Sequence, residues 1–226
     1  MIHGKISPVS NLTEKQIQKM FEVMQKYYEN MEWNNFYNDL ICKLDVILLR
    51  DNTGSIKGFT TLAMFEYNKN IRLLFSGDTI VEQEYWGAND LQQVWVKNAI
   101  KHAENFDGKT YWLLLSKGYK SYKYLYTFFN EFYPRADVET PEFALQIIDN
   151  FCKQHWPEKY QDGVIKMGKD HLKTEFAEME EFMLKDKDIA FFLEKNPNFA
   201  KGDELVCLTE MSIDNLNRLG RMALGK

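Results

Sequence analysis

Cysteine, proline and glycine are scarce in this chain. Its 226 residues include three Cys, five Pro and twelve Gly. Cys42, Cys152 and Cys207 are odd in number, widely spaced and without a CxxC pair, which fits neither a disulfide framework nor a zinc site. So few Pro and Gly leave no room for a long flexible linker or a collagen-like stretch. We therefore expect three reduced thiols and no metal, with Cys42 and Cys207, which stand in apolar runs, in the core.

Long apolar runs are absent as well. No stretch approaches the length of a membrane span, and the opening residues MIHGKISPVS lack the apolar segment of a signal peptide. The formal net charge is -5. An acidic chain is a poor match for a nucleic acid, because phosphate binding draws on an excess of Lys and Arg. These absences predict a cytoplasmic protein with no membrane span and no nucleic-acid partner.

Three common catalytic motifs are also missing. There is no GxSxG nucleophile turn, no HExxH zinc-binding helix and no GxxxxGK[ST] phosphate loop. The histidines do not replace them, because His102 and His155 have no partner at metal-ligand spacing and His171 is typical of a surface residue.

What the chain does contain is apolar and aromatic side chains, at 45% and 15% of its residues, which is ample for a packed core. Residues 13–30 carry apolar side chains at helical spacing, with Thr13 as N-cap and Gln16 as its capping-box partner. Turn residues and strand-forming runs then predict three antiparallel strands, at 45–50, 57–65 and 71–80.

The pattern changes after residue 80. Residues 88–105 are amphipathic with helical spacing, and 110–116 form an almost continuous apolar run, typical of a strand buried on both faces. A strand, a helix and a strand of these lengths favour a crossover, so strands 71–80 and 110–116 are predicted to be parallel. Further elements are predicted with less regular patterns: helices at 121–132, 141–155 and 174–195, strands at 163–166 and 204–208, and a closing helix capped by Ser212.

This order of elements resembles the GNAT superfamily of acyl-CoA-dependent N-acyltransferases, over residues 13–134 and more loosely to the end. The family's phosphate-binding signature, Arg/Gln-x-x-Gly-x-Gly/Ala, is similar to the stretch before the amphipathic helix: Trp86, Gly87, Ala88, Asn89 and Asp90. The resemblance implies an α/β fold with a central mixed, mostly antiparallel sheet flanked by helices. It also implies one domain over residues 1–226, in which 135–226 supply a helical insertion and completing strands.

From the resemblance we expect an acyl-CoA thioester as co-substrate, with no metal. Its phosphates would lie on backbone N–H groups where the helix begins. Lys117 and Lys120 belong to a locally basic run in an acidic chain, and they would bind the phosphates of CoA. The alternative is that they are solvated lysines of a surface turn. Asn89 stands where the family has glycine, and Asn tolerates positive φ. Asp90 would repel a phosphate, and its other interpretation is an N-cap of the helix.

The resemblance further implies a tyrosine that protonates the leaving thiolate, because the pKa of a phenol lies near that of a thiol. Phe128 occupies the usual position here. Three nearby tyrosines could supply the acid in place of Phe128: Tyr122, Tyr124 and Tyr126. The alternative is that they are amphipathic residues at the edge of the core. Three glutamates are candidates for the base that deprotonates the acceptor amine: Glu66, Glu82 and Glu84. Of these, Glu84 is the predicted base.

Two functions remain open from the sequence. The first is acyl transfer from acyl-CoA, or from an acyl carrier protein, to an amine. The second is a non-catalytic GNAT-like module that binds a ligand or a protein in the same cleft. The sequence does not name the acceptor.

Overall fold

The computed structural model describes residues 2–86, 90–166, 171–173 and 185–225. The strands are β1 (Ile2–Pro8), β2 (Tyr28–Glu29), β3 (Asp45–Asp51), β4 (Ile56–Asn68), β5 (Ile71–Val81), β6 (Lys109–Ser116), β7 (Tyr160–Gln161), β8 (Val164–Ile165), β9 (His171–Leu172) and β10 (Glu204–Glu210). The helices are α1 (Glu14–Tyr27), α2 (Trp33–Ile41), α3 (Asp90–Glu104), α4 (Tyr119–Phe128), α5 (Glu142–His155), α6 (Lys187–Lys195) and α7 (Arg218–Leu224).

One sheet joins eight of these strands, in the order β1-β3-β4-β5-β6-β10-β8-β7. Neighbouring strands are antiparallel except for β5 and β6, which run parallel from Ile71 opposite Lys109 to Ser76 opposite Leu114. Helix α3 makes the crossover between them, as parallel neighbours require. The predicted parallel pair and the predicted class, a mixed and mostly antiparallel sheet flanked by helices, are both confirmed.

Helix α1 begins where the sequence predicts. The side chain of Thr13 accepts a hydrogen bond from the backbone of Gln16, and the Gln16 side chain accepts one from the backbone of Thr13, so the capping box is complete. The apolar face of the helix is buried on the sheet. A strong start signal and a clear apolar face made this helix predictable.

The two faces of the sheet are covered differently. On one face, called here the continuous face, β-strand residues pack with α3, α4, α6 and α7 in a single cluster that runs from Ile2 and Leu49 to Trp112 and Phe192. On the other, the divided face, α1 and α2 cover the β3–β4 side, and α5 separately covers β5, β6 and β10. Two cores therefore lie side by side on the divided face.

Some elements differ from the prediction. Strand β1 and helix α2 were not predicted, although both belong to the structure. The closing helix is capped by Asn217, whose side chain accepts from the backbone of Gly220, whereas the Ser212 hydroxyl accepts from Asn215 N in the turn before it. Ser212 as the cap was therefore wrong, because the chain turns once more before the helix starts. Of the helix predicted at 174–195, α6 forms the end, and 174–184 lie outside the described residues.

The cysteines divide between surface and core. Cys207 is completely buried in β10, as predicted. Cys42 caps the C-terminal end of α2 and is exposed, so its predicted burial was wrong. Cys152 is on the buried face of α5.

Candidate functional site: a cleft where two parallel strands separate

The parallel strands β5 and β6 stop pairing before either ends. Their last paired residues are Ser76 and Leu114. From there β5 continues along β4 as far as Val81, while β6 continues along β10 as far as Ser116. A gap therefore opens in the middle of the sheet, at the carboxyl ends of two neighbouring parallel strands. Openings of this kind are where ligands bind in many α/β proteins.

A β-bulge lies on β5 at the start of this gap. Thr61 of β4 is opposite Gly77, and the preceding Thr60 is opposite Thr79, so Asp78 is the extra residue of the bulge. Gly77 has no room for a side chain, because a Cβ there would lie 2.8 Å from Thr61 Oγ1 and 2.9 Å from Lys43 Cε. The bulge bends the strand and redirects its side chains at the point where β6 departs.

A cleft of about 460 Å³ occupies the gap and extends over the divided face. Its floor is the β5 segment from Phe75 to Thr79, together with Leu114 and Leu115 of β6. One wall is formed by α2 and the residues before it, and the other by the end of α5 with His155 and Trp156. The cleft thus lies between the two cores of the divided face.

Two lysines lie in this cleft, each beside a carboxylate. Lys43 Nζ is 2.7 Å from Asp39 Oδ1 and 5.0 Å from the centroid of the Phe75 ring. Lys117 Nζ is 3.5 Å from Glu204 Oε1, and both of those side chains are largely buried. Because buried charges are costly unless they are paired, these pairs fix the positions of the ammonium groups in the cleft.

The turn after β5 is tied to the end of α1. Glu82 is buried, and its carboxylate accepts hydrogen bonds from Lys26 and, at 3.0 Å, from Lys57. Burial alone would raise the pKa of Glu82, but the two ammonium groups outweigh it and hold the pKa below its ordinary value. The next residue, Gln83, donates its backbone N–H to the hydroxyl of Tyr27 at 2.6 Å.

Trp86 and Lys120, both predicted to bind the cofactor, lie together. Lys120 Nζ is 3.8 Å from the centroid of the Trp86 indole, whose Nε1 donates to the carbonyl of Val81 at 2.8 Å. Burial lowers the pKa of Lys120. Helix α3 begins at Asp90, so this carboxylate is in the first turn. Gly87, Ala88 and Asn89 lie outside the described residues.

Lys117, predicted with Lys120, is placed differently. It points into the cleft, where its ammonium lies 5.3 Å from the ring of Tyr28 as well as beside Glu204. Lys117 and Lys120 therefore face different parts of the site: Lys120 the ring of Trp86, and Lys117 the gap between the strands.

The three predicted tyrosines occupy three different environments. Tyr122 is completely buried and donates its hydroxyl to the carbonyl of Pro134 at 2.9 Å. The hydroxyl of Tyr126 is buried and has no hydrogen-bond partner among the described residues. That of Tyr124 accepts from Gln92 Nε2 at 3.1 Å, beside the start of α3. Burial raises the pKa of all three phenols.

Glu84, the predicted base, lies in the turn after β5 and does not line the cleft. Its side chain is 57% exposed and makes an ion pair of 3.1 Å with Lys57. Lys57 therefore holds two carboxylates, those of Glu84 and Glu82. Glu84 and the tyrosines are not brought together by any contact between described residues.

The sequence analysis missed Lys43 and Asp78, which line the cleft. One signal was available. Gly77 stands alone inside a strand pattern, and an isolated glycine in a strand indicates a bulge or a close approach of another group. Lys43 carried no such signal, because helix α2, which presents it, was not predicted.

Two structural features are absent from residues 2–86, 90–166, 171–173 and 185–225. No helix there combines the length and apolar character needed to cross a membrane. Within the same residues, no group of three or more His, Cys, Asp or Glu side chains could hold a metal ion.

Comparison with known proteins gives similarities in structure alone. No protein-family model and no curated sequence matches this chain. YhbS, a GNAT-family N-acetyltransferase from Escherichia coli solved in complex with CoA, is 10% identical, with a TM-score of 0.39; the match covers 52% of this chain and 64% of that one. A probable N-acyltransferase from Enterococcus faecalis V583 is 13% identical, with a TM-score of 0.42, over 57% of this chain and 33% of that one.

A third similar structure is the ribosomal-protein-S18-alanine N-acetyltransferase of Escherichia coli. It is 12% identical with a TM-score of 0.40, and the match covers 62% of this chain and 86% of that one. The chain thus spans less than two-thirds of the first two proteins. Solved structures to which this chain is similar include GNAT-family N-acetyltransferases, and the similarity concerns the fold alone.

Proposed function

We propose that this protein transfers an acyl group from acyl-CoA to an amine. The observation that carries the proposal is the separation of β5 and β6 beyond Ser76 and Leu114, with a bulge on β5 at the same level. The gap gives a narrow donor arm a path through the sheet. The cleft on the divided face gives the acceptor a second approach to the same point. Two reactants brought together in this way react as if at very high local concentration.

On the donor side, the phosphates of CoA would bind at residues 87–90, where backbone N–H groups and the positive end of α3 favour an anion. Lys120, held on the ring of Trp86, supplies a positive charge next to the residue that precedes this stretch in the chain. Its lowered pKa is consistent with an ammonium that is partly desolvated and would gain from a phosphate. Lys117 is better suited to the thioester arm than to the phosphates, because it points into the cleft.

On the chemical side, the amine nitrogen bonds to the thioester carbonyl carbon, the C–S bond breaks, and a proton passes from nitrogen to the departing sulfur. Tyr124 is the favoured proton donor, because its hydroxyl lies beside the start of α3, whereas that of Tyr122 is engaged in the core. For removing the amine proton, Asp78 is better situated than Glu84. Asp78 lines the cleft, and Glu84 is paired with Lys57 outside it.

Calorimetric titration of acetyl-CoA into the wild type, Gly87→Val and Lys120→Ala tests the donor site. We expect Gly87→Val to weaken binding at least tenfold, because a branched side chain keeps the phosphates from the backbone. Lys120→Ala, which removes one partly screened charge, should weaken it by about fivefold or less. Absence of binding to the wild type at millimolar acetyl-CoA would contradict acyl-CoA as donor and favour an acyl carrier protein. Unchanged binding by Gly87→Val would contradict the position of the site.

The second candidate is a GNAT-like module that binds without catalysis. Two features favour it: Phe128 stands at the usual tyrosine position, and the Tyr122 hydroxyl is tied to Pro134. A thiol-release assay separates the two functions. The enzyme should release CoA from acetyl-CoA faster in the presence of at least one member of a panel of amines, including peptide N-termini and polyamines. The module should bind acetyl-CoA with no such release.

A further inference from the structure

Lys43 presents an ammonium group inside the cleft. The residue follows the last turn of α2, yet its side chain is only 8% exposed, because it lies back over the Phe75 ring. Asp39, one turn earlier, is 49% exposed and holds the ammonium from the solvent side at 2.7 Å. The pair thus places a positive charge against the floor of the cleft.

The ammonium has hydrogen-bonding capacity to spare. A lysine has three N–H donors, and Asp39 accepts one of them. Among the residues that the structure describes, no second side chain or carbonyl accepts from Lys43. Leaving buried donors without acceptors is costly, so groups of this kind usually have a partner from outside the chain, such as a ligand or water.

The spare donors lie beside the bulge of β5. A Cβ built on Gly77 would be 3.4 Å from Lys43 Nζ and 2.9 Å from its Cε. The ammonium is therefore a few ångströms from the backbone at the point where β5 and β6 separate. This is the level at which, under the proposed function, the thioester carbonyl would meet the amine.

We infer that Lys43 is a catalytic residue that binds the thioester carbonyl oxygen and stabilises the negative charge formed there. The inference rests on the proposed function. As the amine nitrogen bonds to the carbonyl carbon, the C=O electron pair moves onto oxygen and Lys43 donates to that oxyanion. When the C–S bond breaks, the pair returns to the carbonyl, the sulfur leaves with the electrons of the bond and takes up a proton, and the nitrogen loses one. Charge-assisted donors held in place before the reaction are the most effective stabilisers of such an oxyanion.

The other lysine of the cleft is less suited to this role. Lys117 is held by a carboxylate that is itself nearly buried, Glu204, and lies on the β6 side of the gap. Asp39, by contrast, is half-exposed and screened by water, so it positions Lys43 without cancelling its charge. Asp39 is accordingly a positioning residue.

Two stable analogues of acetyl-CoA give a test that needs no acceptor. Carboxymethyl-CoA carries an anionic oxygen one methylene further from the sulfur than the carbonyl oxygen of acetyl-CoA, and acetonyl-CoA carries a neutral ketone at that same position, so the two analogues differ mainly in charge. Calorimetric titration should show that the wild type binds the anionic analogue about tenfold more tightly or better, as a charge-assisted hydrogen bond predicts. In Lys43→Met the ratio of the two dissociation constants should fall to about one, whereas Lys43→Arg should keep part of the preference.

Lys153→Met is the matched control. Lys153 and Asp149 form another pair at i and i+4, with the lysine 64% exposed on α5 and outside the cleft, so the preference should remain as in the wild type. Urea unfolding of Lys43→Met checks that the variant is folded. An unchanged ratio in folded Lys43→Met, or no preference in the wild type, overturns the role of Lys43 alone. Failure of both analogues and of acetyl-CoA to bind the wild type overturns the proposed function and this inference together.

Discussion

The two faces of the sheet differ in how completely they are covered. On the continuous face, four helices and the strands beneath them share one apolar cluster, in which Trp95 and Trp112 lie 4.2 Å apart between ring centroids. On the divided face, α1 with α2 and α5 bury separate clusters. Between these clusters lie charged and polar side chains, including Lys43, Asp78 and Lys117, which line the cleft.

The cleft lies where apolar packing is interrupted on the divided face. The continuous cluster includes Leu74, Trp112 and Leu114, so apolar packing joins β5 and β6 up to the level at which they separate. Trp112 also donates its Nε1 to Ser76 Oγ at 2.8 Å, which links the two strands at their last paired level. A rigid face thus supports an open one, as binding sites generally require.

The first prediction compares two tryptophans, one on each face. Trp112→Ala should lower the free energy of unfolding by about 3–5 kcal/mol, because it leaves a large cavity in the continuous cluster. Trp156→Ala, at the half-buried rim of the cleft, should cost about 1–2 kcal/mol, since its site is already open to water. Urea unfolding followed by circular dichroism measures both. Equal losses of unfolding free energy in the two variants would mean that the two faces are packed alike.

The second prediction concerns the turn at the edge of the site. Glu82→Gln should destabilise the protein at pH 7 by about 1–3 kcal/mol, because two lysines lose their buried partner. The pKa of Glu82 lies below its ordinary value of 4.5 in the folded protein. Its contribution is therefore complete above pH 4.5 and is lost as the pH falls through the folded pKa. The difference between wild type and variant should accordingly shrink below pH 4.5.

Glu84→Gln is the control for this experiment, because Glu84 pairs with the same Lys57 but is 57% exposed. Its loss should cost about 1 kcal/mol or less. Urea unfolding of the wild type and both variants at pH 7 and at pH 4 gives the six values required. A difference between wild type and Glu82→Gln that stays constant or grows on acidification contradicts the assigned ion pairs.

Much of the fold was predictable, because its signals are local. Strands 45–50, 57–65 and 71–80 are bounded by turn residues, and the apolar run 110–116 identified the strand buried on both faces. Helix α2 was missed for a physical reason. It buries only Phe36 and Leu40, leaves Trp33, Tyr37 and Ile41 partly exposed, and has no side-chain cap. Strand β1 was missed because it is an edge strand with only one buried residue.

Only the donor side of the candidate site carried a signal in the sequence, and the binding of a donor there stays a prediction. The stretch from Trp86 to Asp90 follows a strand and precedes a helix, which is a signal in the sequence itself. The cleft wall is assembled from α2, β5 and α5, whose residues are far apart in the chain and meet through the sheet. Local sequence patterns carry no information on such long-range contacts. Lys43 therefore could not be distinguished from the other lysines as a residue of the site.

The smallest effect on stability is expected from a cysteine substitution. The three cysteines lie in three different environments. Cys42 lies on the wall of the cleft and is exposed, Cys152 lies on the buried face of α5, and Cys207 lies in the continuous cluster. Burial raises the pKa of the Cys152 thiol to about 12, with a smaller contribution from Asp149, and burial also raises that of Cys207. Since the thiolate is the reactive form, only Cys42 should react with Ellman's reagent in the native protein.

Thiol titration under non-reducing conditions should therefore count one thiol in the native protein and three in urea. Cys42→Ser should abolish the native reaction and change the free energy of unfolding by no more than about 0.5 kcal/mol, because the exposed thiol makes a single hydrogen bond to the described residues, to the Asn38 carbonyl. Two reactive thiols in the native protein would mean that one of the cores on either face opens readily. Fewer than three in urea would mean that a disulfide forms, contrary to the spacing of the three residues.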